Sequence, residues 1–346
     1  MKKVEFVQNV DQKLASEWDF LWENSDTAHF FNSYKWFQVC QEVFPDAKYS
    51  ILCVRDNESL EAVMPLVVSR KIGVKFLTNP GGKYIDRSAL LVKKQDKAIV
   101  KCLVTKLKIK GSFFLPEVQS QLADLFVGQQ LTKVTSGINL QLPFEDNPFR
   151  FVKAKNKRKI TKIHEEYGKD LKFVMNRGNS ATLKLAMKID GISYRQKKNI
   201  GTFNNLIDRK FFTSLSRIAM QDTGINILYY KKKPVAYEIG IRAGKTYHGL
   251  NKSFDNRYAF LTPGKILAHY LFEGLHKERI EVFDFSRGDD MLKRSFTDIT
   301  KMQYDIYYTD NLLARIALVG TSSLRKKLVE NKLFYSTYRK LISIKK

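Results

Sequence analysis

The sequence predicts an α/β (α+β) chain of two domains in tandem, each a mixed, mostly antiparallel sheet flanked by helices. Three observations carry this. The chain has 346 residues, enough for two cores of ordinary size. Helix and β-hairpin patterns recur in the same order in each half, so the first half reads as a degenerate repeat of the second. Between them, proline and asparagine in "LPFEDNPFRF" interrupt the pattern. The expected division is residues 1–145, 146–310, and a basic helical tail, 311–346. At 44% hydrophobic and 12% aromatic residues, the chain has the composition of a folded protein.

The elements follow in order. "VDQKLASEWDFLWENSD" places Leu14, Trp18, Leu21 and Trp22 on one helical face. "SYKWFQVCQEVF" does the same with Trp36, Phe37, Cys40 and Phe44, behind Ser33 as N-cap. "YSILCVRDNESLEAVMPLVVSR" reads as a hairpin turning at Asp56-Asn57. A strand at "VKFLTN", a helix at "DKAIVKCLVTKLK" and strands at "SFFLP" and "GINLQL" complete the first half.

The second half opens on "KAKNKRKITKIHEEYGKD", a basic helix ending at Gly168. It is either a solvated face or a contact surface for phosphate or an anionic polymer. Two helical stretches follow, the second expected to close on Gly224 as a C-cap. "INILYYKKK", "PVAYEIGIRAG" and "KTYHGLNKSF" then form an antiparallel meander with turns at Lys233-Pro234 and Gly244-Lys245. The next helix has Thr262 as N-cap and Pro263 at its first position, and buries Ile266, Leu267, Tyr270, Leu271 and Leu275. Its start is either an ordinary capped terminus or a phosphate site, with Gly264, Lys265 and Ile266 as backbone donors. A buried strand, "IEVFDF", ends in the loop Ser286-Arg287-Gly288-Asp289-Asp290, with Lys293 and Arg294 behind it.

Sixty lysines and arginines against 35 acids give a formal charge of +25, a field that attracts nucleic acid, anionic lipid, nucleotide cofactors or acidic glycans alike. The aromatic residues fall at core periodicity and do not interleave with a basic stripe, which argues against an aromatic nucleic-acid platform. Cys40, Cys53 and Cys102, odd in number and without CxxC spacing, read as reduced, mostly buried thiols of a cytosolic protein. The N-terminus lacks the apolar region of a secretory signal, and no apolar run reaches the roughly 20 residues that span a bilayer. A soluble, cytoplasmic protein is therefore expected. The tail aligns Leu324, Leu328, Phe334, Tyr338 and Ile342 on one face, for packing or for peripheral contact with an anionic membrane. His164, His269 and His276 have no carboxylate set at ligand spacing, so no metal is expected.

Several motifs, in order, resemble one family. They are "SYRQKKNIGT" (Ser193, Tyr194, Arg195, Gly201, Thr202), "KKPVAYEIGI" (Pro234, Ala236), "FDNRYAFLTPG" (Asp255, Tyr258, Thr262, Pro263, Gly264) and "DFSRGDDMLKRSF" (Asp284, Phe285, Gly288, Asp289, Lys293, Phe296). With "FFNSYKWF" and "MPLVV" in the first half, the chain from about residue 28 to 300 resembles the BioF-like or CelD-like acetyltransferases, a branch of the GNAT fold related to FemAB peptidyltransferases. Tyr194 stands where that family has tryptophan, Arg195 where it has lysine, Thr262 where it has serine, and Leu292 where it has tyrosine. The last change removes any hydrogen bond made by that phenol. Like the family, the chain lacks a glycine-rich pyrophosphate loop, so the Thr262-Pro263-Gly264 helix start would serve.

The resemblance implies two GNAT-like domains and an acyl-CoA-dependent N- or O-acyltransferase using acetyl-CoA or another acyl-CoA. Its acceptor would be an amino sugar or hydroxyl of a bacterial surface polysaccharide or its precursor, a glycan or a nucleotide sugar. Thr262, Gly264, Lys265 and Ile266 would hold the cofactor. Tyr194, Arg195, Asp255, Tyr258, Asp290 and Arg294 would face the acceptor. Acyl transfer to an amine needs a proton acceptor and donors for the oxyanion, not a Ser-His-Asp triad. His248 is the best-placed histidine for a base, although a lone strand histidine is commonly an ordinary polar partner. Asp289 and Lys293 join it as catalytic candidates, against an i,i+4 ion pair as the structural alternative. The competing readings are a FemAB-like transferase using aminoacyl-tRNA, disfavoured by the lack of a coiled-coil insert, and a non-catalytic scaffold binding anionic glycan or lipid.

Overall fold

The computed structural model describes residues 2–320 except 72, 198, 199 and 319. Most of the tail expected at 311–346, and its membrane-contact face, lie outside the described residues. The chain forms two compact units. One comprises the chain up to Phe37, Asp46–Gly137 and the chain from Met302; the other comprises Gln38–Pro45 and Ile138–Lys301.

The first unit's elements are β1 (Lys2–Val7), α1 (Gln12–Glu23), the start of α2 (Tyr34–Val43), β2 (Tyr49–Asp56), β3 (Ser59–Lys71), β4 (Val74–Thr78), β5 (Leu91–Val92), α3 (Lys97–Lys110), β6 (Phe113–Gln119), α4 (Ser120–Ala123) and the start of β7 (Thr132–Pro143). Asp11 caps α1 through Leu14 N–H at 2.8 Å, and Ser33 Oγ accepts from Trp36 N–H at 3.1 Å, as the sequence predicts. The hairpin from β2 to β3 turns through Asn57 in the left-handed region, φ 53°. Strands run in the order β1-β2-β3-β4-β6 with antiparallel neighbours, except that β4 and β6, joined through α3, are parallel.

The second unit has α5 (Ala154–Tyr167), β8 (Leu171–Val174), α6 (Ser180–Gly191), α7 (Tyr194–Lys197), α8 (Leu206–Ile218), β9 (Thr223–Tyr230), β10 (Lys233–Ala243), β11 (Thr246–Phe254), α9 (Pro263–Lys277), β12 (Val282–Arg287) and α10 (Met291–Arg294). A last strand, β13 (Thr300–Tyr308), pairs antiparallel with β6; the sequence division had placed it in the second domain. The meander β9-β10-β11 is antiparallel, β8 adds to β9, and β11 and β12, joined through α9, are parallel. The two units thus repeat one plan: a strand, two helices, three antiparallel strands, a helix, and a strand parallel to the third. Within each unit the strand pairing is mixed and mostly antiparallel and the strands are flanked by helices, as the sequence predicts.

Alternation along the strands packs one face of the second sheet on α9. Ile266, Leu267, Leu271, Phe272 and Leu275 meet Phe283, Phe285 and Tyr247 there, with Phe272 edge-on to Phe283, Phe285 and Phe296. Burying each such side chain contributes about 2 kcal/mol. Gly224 is no helix cap: α8 closes at Ala219, and Gly224 lies inside β9, where a Cβ would come within 2.6 Å of the Tyr247 hydroxyl. The small residue was legible; its partner lay across the sheet.

Candidate active site

β11 and β12 are parallel but paired only at Thr246↔Val282, Tyr247↔Phe283 and His248↔Asp284. Both strands continue, β11 to Phe254 and β12 to Arg287, so they part into a notch beyond His248. β11 also carries a bulge. Gly240 opposes Gly249 and Ile239 opposes Asn251, leaving Leu250 as the extra residue. Bulge and splay leave the edge of β11 after His248 without β12 as a partner.

Side-chain alternation divides the notch between two faces. Tyr247, Phe283 and Phe285 lie on the α9 face. His248 and Asp284 fall on the other, the α6 face; they are 2% and 0% exposed. Asp284 accepts from Gln141 Nε2 at 2.7 Å and from Ser286 N–H at 2.8 Å, which fixes the turn after β12. On that face Arg195 Nη1 donates to Asn251 Oδ1 at 3.3 Å, and Tyr237 donates its hydroxyl proton to Asp190 at 3.1 Å. The Asp190 charge and burial hold the Tyr237 hydroxyl well above its usual range, burial being the larger cause.

The start of α9 lies on the first face. Thr262 occupies the N-cap with left-handed geometry, φ 47° and ψ 55°, and makes no side-chain cap bond. Its Oγ1 is buried without a hydrogen-bond partner. The N–H groups of Lys265 and Ile266, expected as free donors, both bond the Thr262 carbonyl, at 2.8 and 3.3 Å. Pro263 has no N–H, so the free donor of the first turn is Gly264. A Cβ on Gly264 would meet only Leu292 Cδ2, 3.9 Å away, so the space above it is open. Burial, then Lys159 and Lys155 of α5, push the Lys265 ammonium below its usual range. Lys155 and Lys159 therefore add positive charge near Lys265 in the first turn of α9.

The loop after β12 departs from the expected pairing. Asp290 caps α10 through Lys293 N–H at 2.9 Å. Asp289, expected opposite Lys293, instead forms a two-pronged pair with Arg294, both contacts 2.7 Å, which lowers its proton affinity. Lys293 sends its ammonium to the carbonyls of Ser286, Arg287 and Gly288, at 3.1, 2.6 and 3.2 Å. With Ser286 and Gly288 at positive φ, the carbonyls of this turn converge on that cation. Leu292 packs beside Gly264, at the helix start.

Of the remaining candidates, Asp255 caps the turn after β11 and binds Arg257, with its buried carboxylate 2.6 Å from Nη2. Tyr258 packs against Tyr230 and Phe260. Tyr194 is half exposed on α7. His164 and His269 lie together beside Tyr270, and His269 stacks on Phe149. Among the described residues no group of three or more His, Cys, Asp or Glu is placed to hold a metal ion.

Two residues escaped the sequence reading. Glu238 of β10 is 3% exposed; its Oε2 accepts from Asn226 and from the Tyr247 hydroxyl, each at 2.8 Å, while Oε1 has no partner. Burial pushes its carboxyl up to about 7. Its register partner on β11 is Lys252. A glutamate inside "AYEIGI" was the available signal.

A sheet of this order, with a parallel pair that splays beside the start of the connecting helix, belongs to the class of GNAT transferase folds. Residues 150–294 match the family model described as an acetyltransferase (GNAT) domain, so the second unit is such a domain and the chain a transferase. Over 89% of its length it matches the crystal structure of FemX (98% of that chain, 9% identity, TM-score 0.66). The same share matches the C-terminal domain of a putative lysylphosphatidylglycerol synthetase from Agrobacterium fabrum (95% of that chain, 10% identity, TM-score 0.56). L-PGS from Bacillus licheniformis matches over 81% of this chain and 89% of its own (10% identity, TM-score 0.53). These likenesses are of fold. No curated protein sequence matches the chain.

Proposed function

We propose that the chain is an acyl-CoA-dependent N- or O-acyltransferase whose acceptor is an amino sugar or hydroxyl of a bacterial surface polysaccharide or its precursor. The observation that carries this reading is the splay of β11 from β12 directly after His248↔Asp284, together with a helix start where Lys265 feels the charge of Lys155 and Lys159. The phosphates of the donor would sit on Gly264 N–H, the Thr262 hydroxyl and these lysines. The polar arm would run along the unpaired edge of β11, bringing the thioester to the notch. The acceptor would enter from the opposite face, past Arg195 and Asn251. There the acceptor's nitrogen or oxygen bonds the acyl carbon, the carbon–sulfur bond breaks, and the proton passes to His248 and on to the leaving thiolate. Asp289, Asp290 and Arg294, on the loop and short helix that follow β12, would meet acceptor hydroxyls, and Lys293 holds their loop.

A second reading, transfer from aminoacyl-tRNA, is favoured by the FemX likeness in fold and by the net charge of +25. The test is calorimetric titration of acetyl-CoA and desulfo-CoA into the native chain and a Gly264→Glu variant. Because the space over Gly264 is open, the variant keeps its fold and places a carboxylate against the phosphates. Micromolar binding weakened at least about tenfold in the variant is expected. Equal binding by both would move the phosphates elsewhere, and no binding by either would sink the acyl-CoA reading.

A further inference from the structure

Lys252 is a cation in the notch with no direct ion-pair partner among the described residues, although Asp290 and Glu238 act on it through charge. It is half-buried on β11, past the last β11–β12 pair, yet among the described residues no carboxylate lies within ion-pair distance and no hydrogen bond engages its ammonium. Its described neighbour is the Phe285 ring of β12, 5.6 Å from Nζ to the ring centre, so the side chain spans the gap between the parted strands. Behind it stands Glu238, whose Oε2 is taken by Asn226 and Tyr247, whose Oε1 has no hydrogen-bond partner among the described residues, and whose charge raises the lysine's proton affinity. In front are Asp290 and Lys293 of the loop, close enough to act on it through charge. Asp290 already caps α10, and Lys293 is the like charge. Burial lowers the Lys252 proton affinity, Asp290 raises it, and Lys293 lowers it again.

Removing an ammonium from water without pairing it is costly, and the cost is relieved when an anion arrives with a ligand. The site of arrival follows from position. As the register partner of Glu238, Lys252 shares the α9 face with Tyr247 and Phe285, the side where the donor phosphates are placed. Short helix α10 links the two places: Leu292 packs at Gly264, and the nearby Asp290 and Lys293 act on Lys252 through charge. On the acyl-CoA reading, what would reach Lys252 is the acyl end of the donor.

We propose that Lys252 reads a carboxylate at the far end of the acyl group, so that the preferred donor is the CoA thioester of a dicarboxylic acid. This rests on the acyl-CoA reading above. A charge-assisted hydrogen bond in a half-buried notch discriminates strongly against a methyl group of the same position.

The experiment titrates succinyl-CoA and acetyl-CoA into the native chain, Lys252→Met and Lys252→Arg, with thermal melts to verify folding. The native chain is expected to bind succinyl-CoA at least about tenfold more tightly than acetyl-CoA. Lys252→Met removes that preference while acetyl-CoA binding stays within about twofold, and Lys252→Arg retains it. Equal native affinities overturn the inference and leave the acyl-CoA reading intact. Equal weakening of both thioesters by Lys252→Met also overturns it, making the lysine a phosphate contact. Failure of both thioesters to bind the native chain removes the foundation and the inference together. Should Lys252→Met not fold, Lys252→Gln replaces it, read against the same two outcomes.

Discussion

Glu238 shows what a single buried group does to the whole fold. Its carboxyl sits near 7 in the folded chain against an ordinary value of 4.5, with burial as the main cause, partly offset by Asn226, Tyr247 and Lys252. Between those values the folded state holds more protons than the unfolded state, so stability falls as pH rises through this window. Above about pH 7 the ionised form is fully destabilising, by up to roughly 3 kcal/mol. Denaturant unfolding of the native chain and Glu238→Gln should diverge from pH 5 to pH 8, the native chain losing stability relative to the variant. Parallel curves would place Glu238 in a wetter site than the structure gives it. Residue roles were legible where chain-local rules govern them. Thr262-Pro263-Gly264 announced a helix start, and Ser33 announced a cap. Glu238 and Lys252 were not, because "AYEIGI" and "GLNKSF" become one site only through cross-strand register, and that register includes a bulge. Asp289 was read against Lys293 by helical spacing, but α10 begins too late for that spacing to apply.

At the scale of elements, the two connecting helices differ at their first turns. α9 carries a glycine at its second position whose N–H is free and whose space is open. α3 begins behind Asp96, which accepts from Ala98 N–H at 2.7 Å and pairs with Lys2 at 2.7 Å, placing an acid where an anion would otherwise bind. The loop after β12 is the second determinant, because Lys293 ties three successive carbonyls. Lys293→Met removes those charge-assisted bonds and should cost about 2–3 kcal/mol in urea unfolding, with faster proteolysis at residues 286–290. A change below about 0.5 kcal/mol would show that the turn holds itself. The meander and both connecting helices were legible from periodicity. The splay of β11 from β12 was not, since no local pattern records where two strands stop pairing.

The whole molecule repeats one plan, and only the second copy keeps a free helix start. Calorimetry should therefore count one acyl-CoA per chain; two would mean that the first unit binds as well. The repeat was legible as helix-then-hairpin order in each half. The return of β13 to the first unit was not, because strand partners distant in sequence leave no mark on composition. The described residues contain no helix long and apolar enough to cross a membrane. The +25 charge adds attraction for any polyanion, so acetyl-CoA and nucleic acid must be separated by competition. The most direct measurement is the displacement of labelled acetyl-CoA from the native chain by unlabelled acetyl-CoA and by aminoacyl-tRNA, at two salt concentrations. The account predicts micromolar displacement by acetyl-CoA, and tRNA binding that fades with salt and leaves the label in place. Displacement by aminoacyl-tRNA at the higher salt, or no acetyl-CoA binding at all, would contradict it.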